Sequence, residues 1–144
     1  MRERYHNTIV DGVARLLVPF MQIFALYVIT HGHYGPGGGF QGGVILAATL
    51  MLLRLTMGKE DEYRFFSTTT AAVLASIGIL IYASAGLLPL FFGGAFLDYG
   101  RLPIPGMAGA ALRSLGILIV ESGVGLVVWG TLVIIFDHLI GNEP

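Results

Sequence analysis

One acidic side chain stands deep inside an apolar stretch of the sequence. Glu121 lies eight residues after Arg113, the nearest arginine or lysine, which is about 12 Å along a helix. A carboxylate in such surroundings costs several kcal/mol unless it is paired, hydrated or protonated. It could act as a relay for protons or cations, or it could be a packing carboxyl that is neutral or bonded to another helix. We favour the relay because the group is so costly to keep there.

The second candidate site is the stretch from His31 to Gly43, which reads HGHYGPGGGFQGG. Imidazole groups exchange protons near neutral pH, so His31 and His33 could lie on a path for protons or ions. They could also cap the turn by bonding backbone carbonyls, which we favour. No further ligand cluster accompanies them, which argues against a metal site. Haem ligation is disfavoured because the predicted topology places His31 and His138 at opposite membrane faces.

The glycines of this stretch form two GxxxG pairs, Gly38 with Gly42 and Gly39 with Gly43. Each glycine inside a helix costs about 1 kcal/mol relative to alanine, so a compensating gain is expected. Close packing against another helix is the favoured gain. A broken helix start, whose free amides face an ion or water, is the alternative. No Gly-Lys-Ser/Thr follows, so a phosphate loop is a poor third. The predicted packing motif comprises Gly35, Pro36, Gly37, Gly38, Gly39, Gly42 and Gly43.

The composition requires a membrane around these groups. The chain is 55% apolar and only 12% charged, with a mean hydropathy of +0.78, more apolar than a soluble domain of 144 residues can bury. A net charge of -1 gives no electrostatic case for nucleic acid. Cysteine is absent, which excludes disulfides and thiolate chemistry. No nucleophile–base constellation of an enzyme and no cofactor motif is recognisable, and a signal peptide is not expected.

The pattern predicts an all-α membrane protein with four transmembrane helices, at about residues 10–30, 38–57, 67–88 and 113–136. The glycine stretch is then a tight hairpin between the first two helices. Arg54 and the loop Lys59–Arg64 are expected to form a solvated face, and Asp137 to lie beyond the fourth span. The segment Pro89–Leu112 is too rich in Gly and Pro to span. It is predicted to be irregular and to lie on the membrane surface or against a partner chain.

Four spans place both termini on one side of the membrane. That side carries six of the eight arginines and lysines, which predicts cytoplasmic termini by the positive-inside rule. The hairpin would then face outward. The six are Arg2, Arg4, Arg15, Arg54, Lys59 and Arg64, against Arg101 and Arg113.

The glycine stretch and the surroundings of Glu121 together resemble the MrpB or MnhB domain, one of the small chains of the multisubunit Mrp-type Na⁺/H⁺ antiporters. The likeness covers nearly the whole chain, and the string from His31 through Pro-Gly-Gly-Gly-Phe is its most distinctive part. The matching residues are Pro19-Phe20, Leu26-Tyr27, His31-Gly32-His33, Pro36-Gly37-Gly38-Gly39-Phe40, Gly42-Gly43, Ser114-Leu115-Gly116 and Glu121-Ser122-Gly123-Val124.

The resemblance implies a single membrane domain over residues 1–144 of a cell (plasma or inner) membrane, without catalytic activity or a cofactor of its own. It implies assembly with other small subunits and with large antiporter subunits related to those of respiratory complex I. The same module occurs in related membrane-bound hydrogenases, so the parent complex could be an oxidoreductase. We therefore expect an accessory subunit that helps to form a Na⁺ or H⁺ path, with Glu121 as relay. The rival is a purely structural helix-packing subunit.

Overall fold

The computed structural model describes residues 8–32, 34, 37–57 and 66–141. Four α-helices occupy most of them: α1 (Thr8–His31), α2 (Gly39–Met57), α3 (Thr68–Phe91) and α4 (Gly109–Gly141). A short 3-10 helix, Tyr99–Arg101, lies between α3 and α4. Each α-helix is long and apolar enough to cross a membrane, and no strand occurs in these ranges. The prediction of an all-α protein with four membrane-spanning helices is confirmed.

Helix α4 packs against both α2 and α3, while α1 packs mainly on α2. The hairpin makes α1 and α2 antiparallel. Helices α2 and α4 run parallel, because Gly39 meets Glu121 near one end and Arg54 meets Asp137 near the other. Helix α3 runs antiparallel to α4. The chain therefore presents long helix faces to its surroundings, including the apolar outer face of α1.

Small residues set the distances between these helices. Gly78 of α3 lies against the backbone of Gly123 in α4, and a Cβ atom on Gly123 would lie 3.0 Å from the carbonyl oxygen of Gly78. Gly130 of α4 meets Ala71 and Ala75 in the same way. Such close approach of backbones gives helices their dispersion contacts in lipid, where no hydrophobic force pairs them.

The segment between α3 and α4 folds back onto its own chain. Helix α3 continues through Pro89 to Phe91, three residues beyond the predicted span, and Pro89 is fully buried. The Phe96 ring covers Gly86, whose carbonyl accepts a hydrogen bond from the Leu97 amide at 3.3 Å. The Tyr99 ring packs on Gly116 of α4. Part of the segment predicted to lie on the membrane surface or on a partner thus covers α3 and α4.

The prediction that Arg54 lies on a solvated face is wrong. Its side chain is buried and paired with Asp137, because α4 continues beyond the predicted span end to Gly141 and carries Asp137 inside its last turns. Opposite charges that neutralise each other can be buried together, whereas the prediction treated each as isolated. The loop Lys59–Arg64 lies outside the residues that the structure describes.

Candidate functional site

The turn between α1 and α2 is closed by backbone hydrogen bonds. The Gly38 amide donates to the Val28 carbonyl at 3.2 Å, and the Tyr34 amide donates to the His31 carbonyl at 3.0 Å. Gly38 has a φ of +113°, a conformation that residues with a Cβ rarely adopt. Glycine thus occupies the position directly before α2, and the hydrogen bond to Val28 holds the start of α2 beside the end of α1.

The Glu121 carboxylate lies against this turn. A Cβ atom on Gly32 would sit 2.7 Å from both carboxylate oxygens, and one on Gly38 would sit 3.0 Å from Oε1. A Cβ on Gly39 would collide with the Glu121 backbone carbonyl. The hairpin glycines and the intrahelical acid, which sequence reasoning treated separately, therefore form one site. Glycine at 32, 38 and 39 leaves the room that the glutamate occupies.

Nothing in the described part of the chain satisfies the Glu121 carboxylate completely. Its Oε2 atom is buried without a hydrogen-bond partner there. The neighbouring Ser122 hydroxyl donates instead to the Leu118 carbonyl at 2.8 Å. A buried carboxylate oxygen that accepts no hydrogen bond is costly, so the site is suited to a proton, a cation or a donor from outside the chain.

Helix α2 uses its glycines on two faces. Gly39 and Gly43 face α4, and a Cβ on Gly43 would lie 2.6 Å from the Gly125 carbonyl oxygen. Gly42 faces α1, where its Cβ position lies 2.9 Å from the Ala25 carbonyl oxygen. Gly39 and Gly43 thus bring α2 close to α4, and Gly42 brings it close to α1.

His31 lies apart from the carboxylate, on the exposed side of the turn. Its ring stacks on Tyr27 with 4.2 Å between ring centroids, and Nδ1 is 3.4 Å from the Thr30 hydroxyl. Its described contacts do not include Glu121. His33, Gly35 and Pro36 lie outside the described residues. Within the described ranges, no three His, Asp or Glu side chains are grouped as metal ligands.

Tyr99 is a neighbour of this site that sequence reasoning missed. Burial raises the pKa of the Tyr99 phenol, and the charges of Tyr82 and Glu121 raise it further. Tyr99 stands in the irregular segment, where no periodicity in the sequence indicates which way a side chain points. Packing on Gly116 brings its ring to α4, five residues before Glu121.

A second polar cluster lies at the opposite end of α2. Arg54 Nη1 donates to Asp137 Oδ1, and Arg54 Nη2 donates to the Phe66 carbonyl at 2.9 Å. The Thr68 hydroxyl donates to Asp137 Oδ2 at 2.7 Å. Both carboxylate oxygens of Asp137 are therefore bonded, whereas Glu121 Oε2 has no hydrogen-bond partner among the described residues. No sequence signal connected Arg54 with a residue 83 positions away.

Comparison with known proteins shows the family of this chain. The family described as "Domain related to MnhB subunit of Na+/H+ antiporter" matches residues 9–134. The chain is 31% identical to the B-type subunit of the Na⁺/H⁺ antiporter of Bacillus subtilis (strain 168), over 92% of this chain and 97% of that protein. It is 32% identical to "Putative antiporter subunit mnhB2" of Staphylococcus aureus (strain Newman), over 83% of this chain and 89% of that protein. Because the match covers most of the chain and reaches all four helices, the chain belongs to the family of domains related to the MnhB subunit of Na⁺/H⁺ antiporters.

Proposed function

We propose that this chain is a non-catalytic membrane subunit of a multisubunit Na⁺/H⁺ antiporter, in which Glu121 takes up and releases a proton or cation on the transport path. The family and the names of the relatives support the antiporter. The role of Glu121 is supported by one observation above the others: its Oε2 is buried without a hydrogen-bond partner in the described residues.

The surroundings of Glu121 fit a carboxyl that lies on an ion path. The turn presents backbone rather than bulky side chains to the carboxylate, because Gly32 and Gly38 carry no Cβ. The carboxylate therefore packs directly against the backbone of the turn on that side. Intramembrane carboxylates are expensive and are typical of ion and proton paths. In this proposal the hairpin is the packing and gating element. In this proposal His31, on the exposed side of the turn, belongs to the path, as does His33, which lies outside the described residues.

The partners in this proposal are the other small and large subunits of such a complex. The exposed apolar faces fit that assignment: Phe20 and Ile23 of α1 are 65% and 67% exposed, and so are available to lipid or to neighbouring helices. A membrane-bound hydrogenase complex is the alternative parent. Affinity purification from native membranes, followed by identification of the co-purifying chains, distinguishes the two parents. The proposed orientation keeps both termini in the cytoplasm.

The test compares Glu121→Gln with Asp98→Asn in the intact complex in membrane vesicles. Glutamine keeps the shape and polarity of the side chain but cannot ionise. Asp98 is a carboxylate outside the four α-helices that accepts a hydrogen bond from the Gly100 amide, which asparagine can preserve. We expect Glu121→Gln to lower Na⁺-linked transport by about tenfold or more, equivalent to at least about 1.4 kcal/mol. Asp98→Asn should leave transport unchanged, and both complexes should assemble.

The structural rival predicts a different pair of results. If the chain only seals neighbouring helices together, Glu121→Gln transports normally, whereas Gly39→Leu abolishes assembly because the Gly39 Cβ position coincides with the Glu121 backbone. Normal transport by an assembled Glu121→Gln complex would remove the relay from the proposal and leave the packing role.

A further inference from the structure

The buried cluster at the C-terminal end of α2 joins three separate parts of the chain. Arg54 comes from α2, Thr68 begins α3 and Phe66 directly precedes that helix, and Asp137 comes from α4. Arg54 and Asp137 are only 4% and 6% exposed. The cluster is thus a fixed point at which all three helices are bonded to one another.

The bonding of Asp137 makes it a poor ion site and a good anchor. One carboxylate oxygen accepts from Arg54 and the other from Thr68, so the group already has its charge partner and its hydrogen bonds. Arginine presents a planar fork of donors, which fixes direction as well as distance. A group held in this way resists displacement, whereas Glu121 Oε2 has no hydrogen-bond partner in the part of the chain that the structure describes.

Two contacts define how far α2 is displaced along α4. Gly39 meets Glu121, and Arg54 meets Asp137. The paired residues are 15 positions apart on α2 and 16 on α4, or about 22 and 24 Å along the helix axes. Because the two helices run parallel, the position of either contact determines the position of the other.

Most of the surface between these two contacts is too smooth to set that displacement. It consists largely of small or apolar residues, including Gly43 against Gly125 and the cluster of Ala47, Leu50 and Val133. Dispersion between such surfaces changes gradually as one helix slides along another, whereas a charge-assisted hydrogen bond depends steeply on distance and angle. Among the described residues, the ion pair is the hydrogen-bonded contact between α2 and α4 that has this dependence on direction.

We infer that Arg54 and Asp137 are a positioning pair, which fixes the axial register of α2 against α4 and thereby seats the hairpin glycines on the Glu121 carboxylate. A slip of one residue moves α2 by about 1.5 Å. The Gly38 Cβ position is only 3.0 Å from Glu121 Oε1, so a slip of that size changes the surroundings of the carboxylate. The inference rests on the proposed function only for the importance of Glu121 in transport.

The experiment measures how fast dicyclohexylcarbodiimide, which reacts with protonated carboxyls in apolar surroundings, labels Glu121 in the intact complex. Mass spectrometry locates the label, and no cysteine thiol of this chain competes for the reagent. The decisive variant is Arg54→Leu/Asp137→Leu, which removes both charges together and leaves neither uncompensated. If the pair only compensates charge, the double variant is as stable as wild type and its Glu121 is labelled at the wild-type rate. If the pair sets the register, the complex remains stable and the labelling rate still changes.

We expect the double variant to change the labelling rate of Glu121 by about two- to thirtyfold, the range for coupling between distant sites. Arg54→Lys provides a second test that retains the charge, since lysine lacks the planar fork and cannot reproduce both bonds. It should change the rate in the same direction. Thr49→Val is the matched control, because the buried Thr49 hydroxyl donates to the Leu46 carbonyl of its own helix at 2.6 Å. It should label at the wild-type rate.

The positioning role is overturned if Glu121 is labelled at the wild-type rate in both Arg54→Lys and the double variant. This readout is separate from transport. If Glu121→Gln transports normally but the labelling rate still responds to Arg54, the relay fails and the positioning pair stands. If Glu121→Gln abolishes transport but labelling does not respond to Arg54, the relay stands and the positioning pair fails.

Discussion

Replacing Gly43 by alanine tests how closely α2 and α4 must approach. A Cβ at this position would lie 2.6 Å from the Gly125 carbonyl oxygen and 2.9 Å from the Val128 Cβ. Carbon atoms in contact prefer roughly 3.5 to 4.0 Å, so the two helices must separate by at least about 0.6 Å. Gly12 provides the matched control, because it lies in α1 with no atom within 4 Å of its Cβ position.

The expected magnitude follows from the difference between the two variants. Alanine gains up to about 1 kcal/mol over glycine inside a helix, and both variants share that gain. Only Gly43→Ala incurs the overpacking cost, which is about 1–3 kcal/mol in a tightly packed interior. The backbone carbonyl of Gly125 cannot swing aside as a side chain would, which favours the upper part of that range. Gly43→Ala should therefore be the less stable variant by about 2 kcal/mol.

The assay is thermal dissociation of the intact complex in detergent. The measured quantity is the fraction of this chain that stays bound to its partners at each temperature. Gly12→Ala should match or slightly exceed wild type, and Gly43→Ala should dissociate at a lower temperature. Equal dissociation temperatures for the two variants would refute the reasoning, because they would show that α2 and α4 are not in backbone contact at this position.

Two further predictions concern the ionisable groups near the helix ends. Asp137→Ala removes the carboxylate that pairs with the buried Arg54 side chain and should destabilise the complex by about 3–5 kcal/mol, whereas removing both charges together should cost far less; thermal dissociation of the two variants measures the difference. The raised pKa of Tyr99 means that the folded chain holds the phenolic proton more tightly than the unfolded chain, so the stability contributed is present below pH 10 and is lost as pH rises through the raised pKa. The ultraviolet titration curve of wild type, after subtraction of the Tyr99→Phe curve, should show the Tyr99 phenolate forming above pH 10.0. Glu121→Gln should lower the midpoint of this titration, and an unchanged midpoint would contradict the electrostatic coupling between the two groups.

The four helices could be predicted because a continuous apolar run of about 20 residues is long enough to cross a bilayer as one helix. The run without Asp, Glu, Lys or Arg between Leu16 and Leu53 is too long for one span and has glycines at its middle. Glu121 could be singled out because the cost of a carboxylate depends mainly on its apolar surroundings, which the sequence shows directly.

The contacts between helices could not be predicted in the same way. Arg54 looked solvated because its partner, Asp137, is 83 residues away and lies on the last turns of α4. The meeting of Glu121 with Gly38 depends on the register of two helices, and small-residue surfaces encode that register weakly. Tyr99 was missed because it lies in an irregular segment, where residue spacing carries no information about facing.

The most direct test of the central claim is infrared difference spectroscopy of the intact complex, with and without Na⁺. If Glu121 exchanges its proton during transport, wild type shows a protonated-carboxyl band that changes with Na⁺. That band should disappear in Glu121→Gln and persist in Asp98→Asn. An unchanged band in Glu121→Gln would show that another group carries the proton, and would contradict the account of Glu121 as the relay.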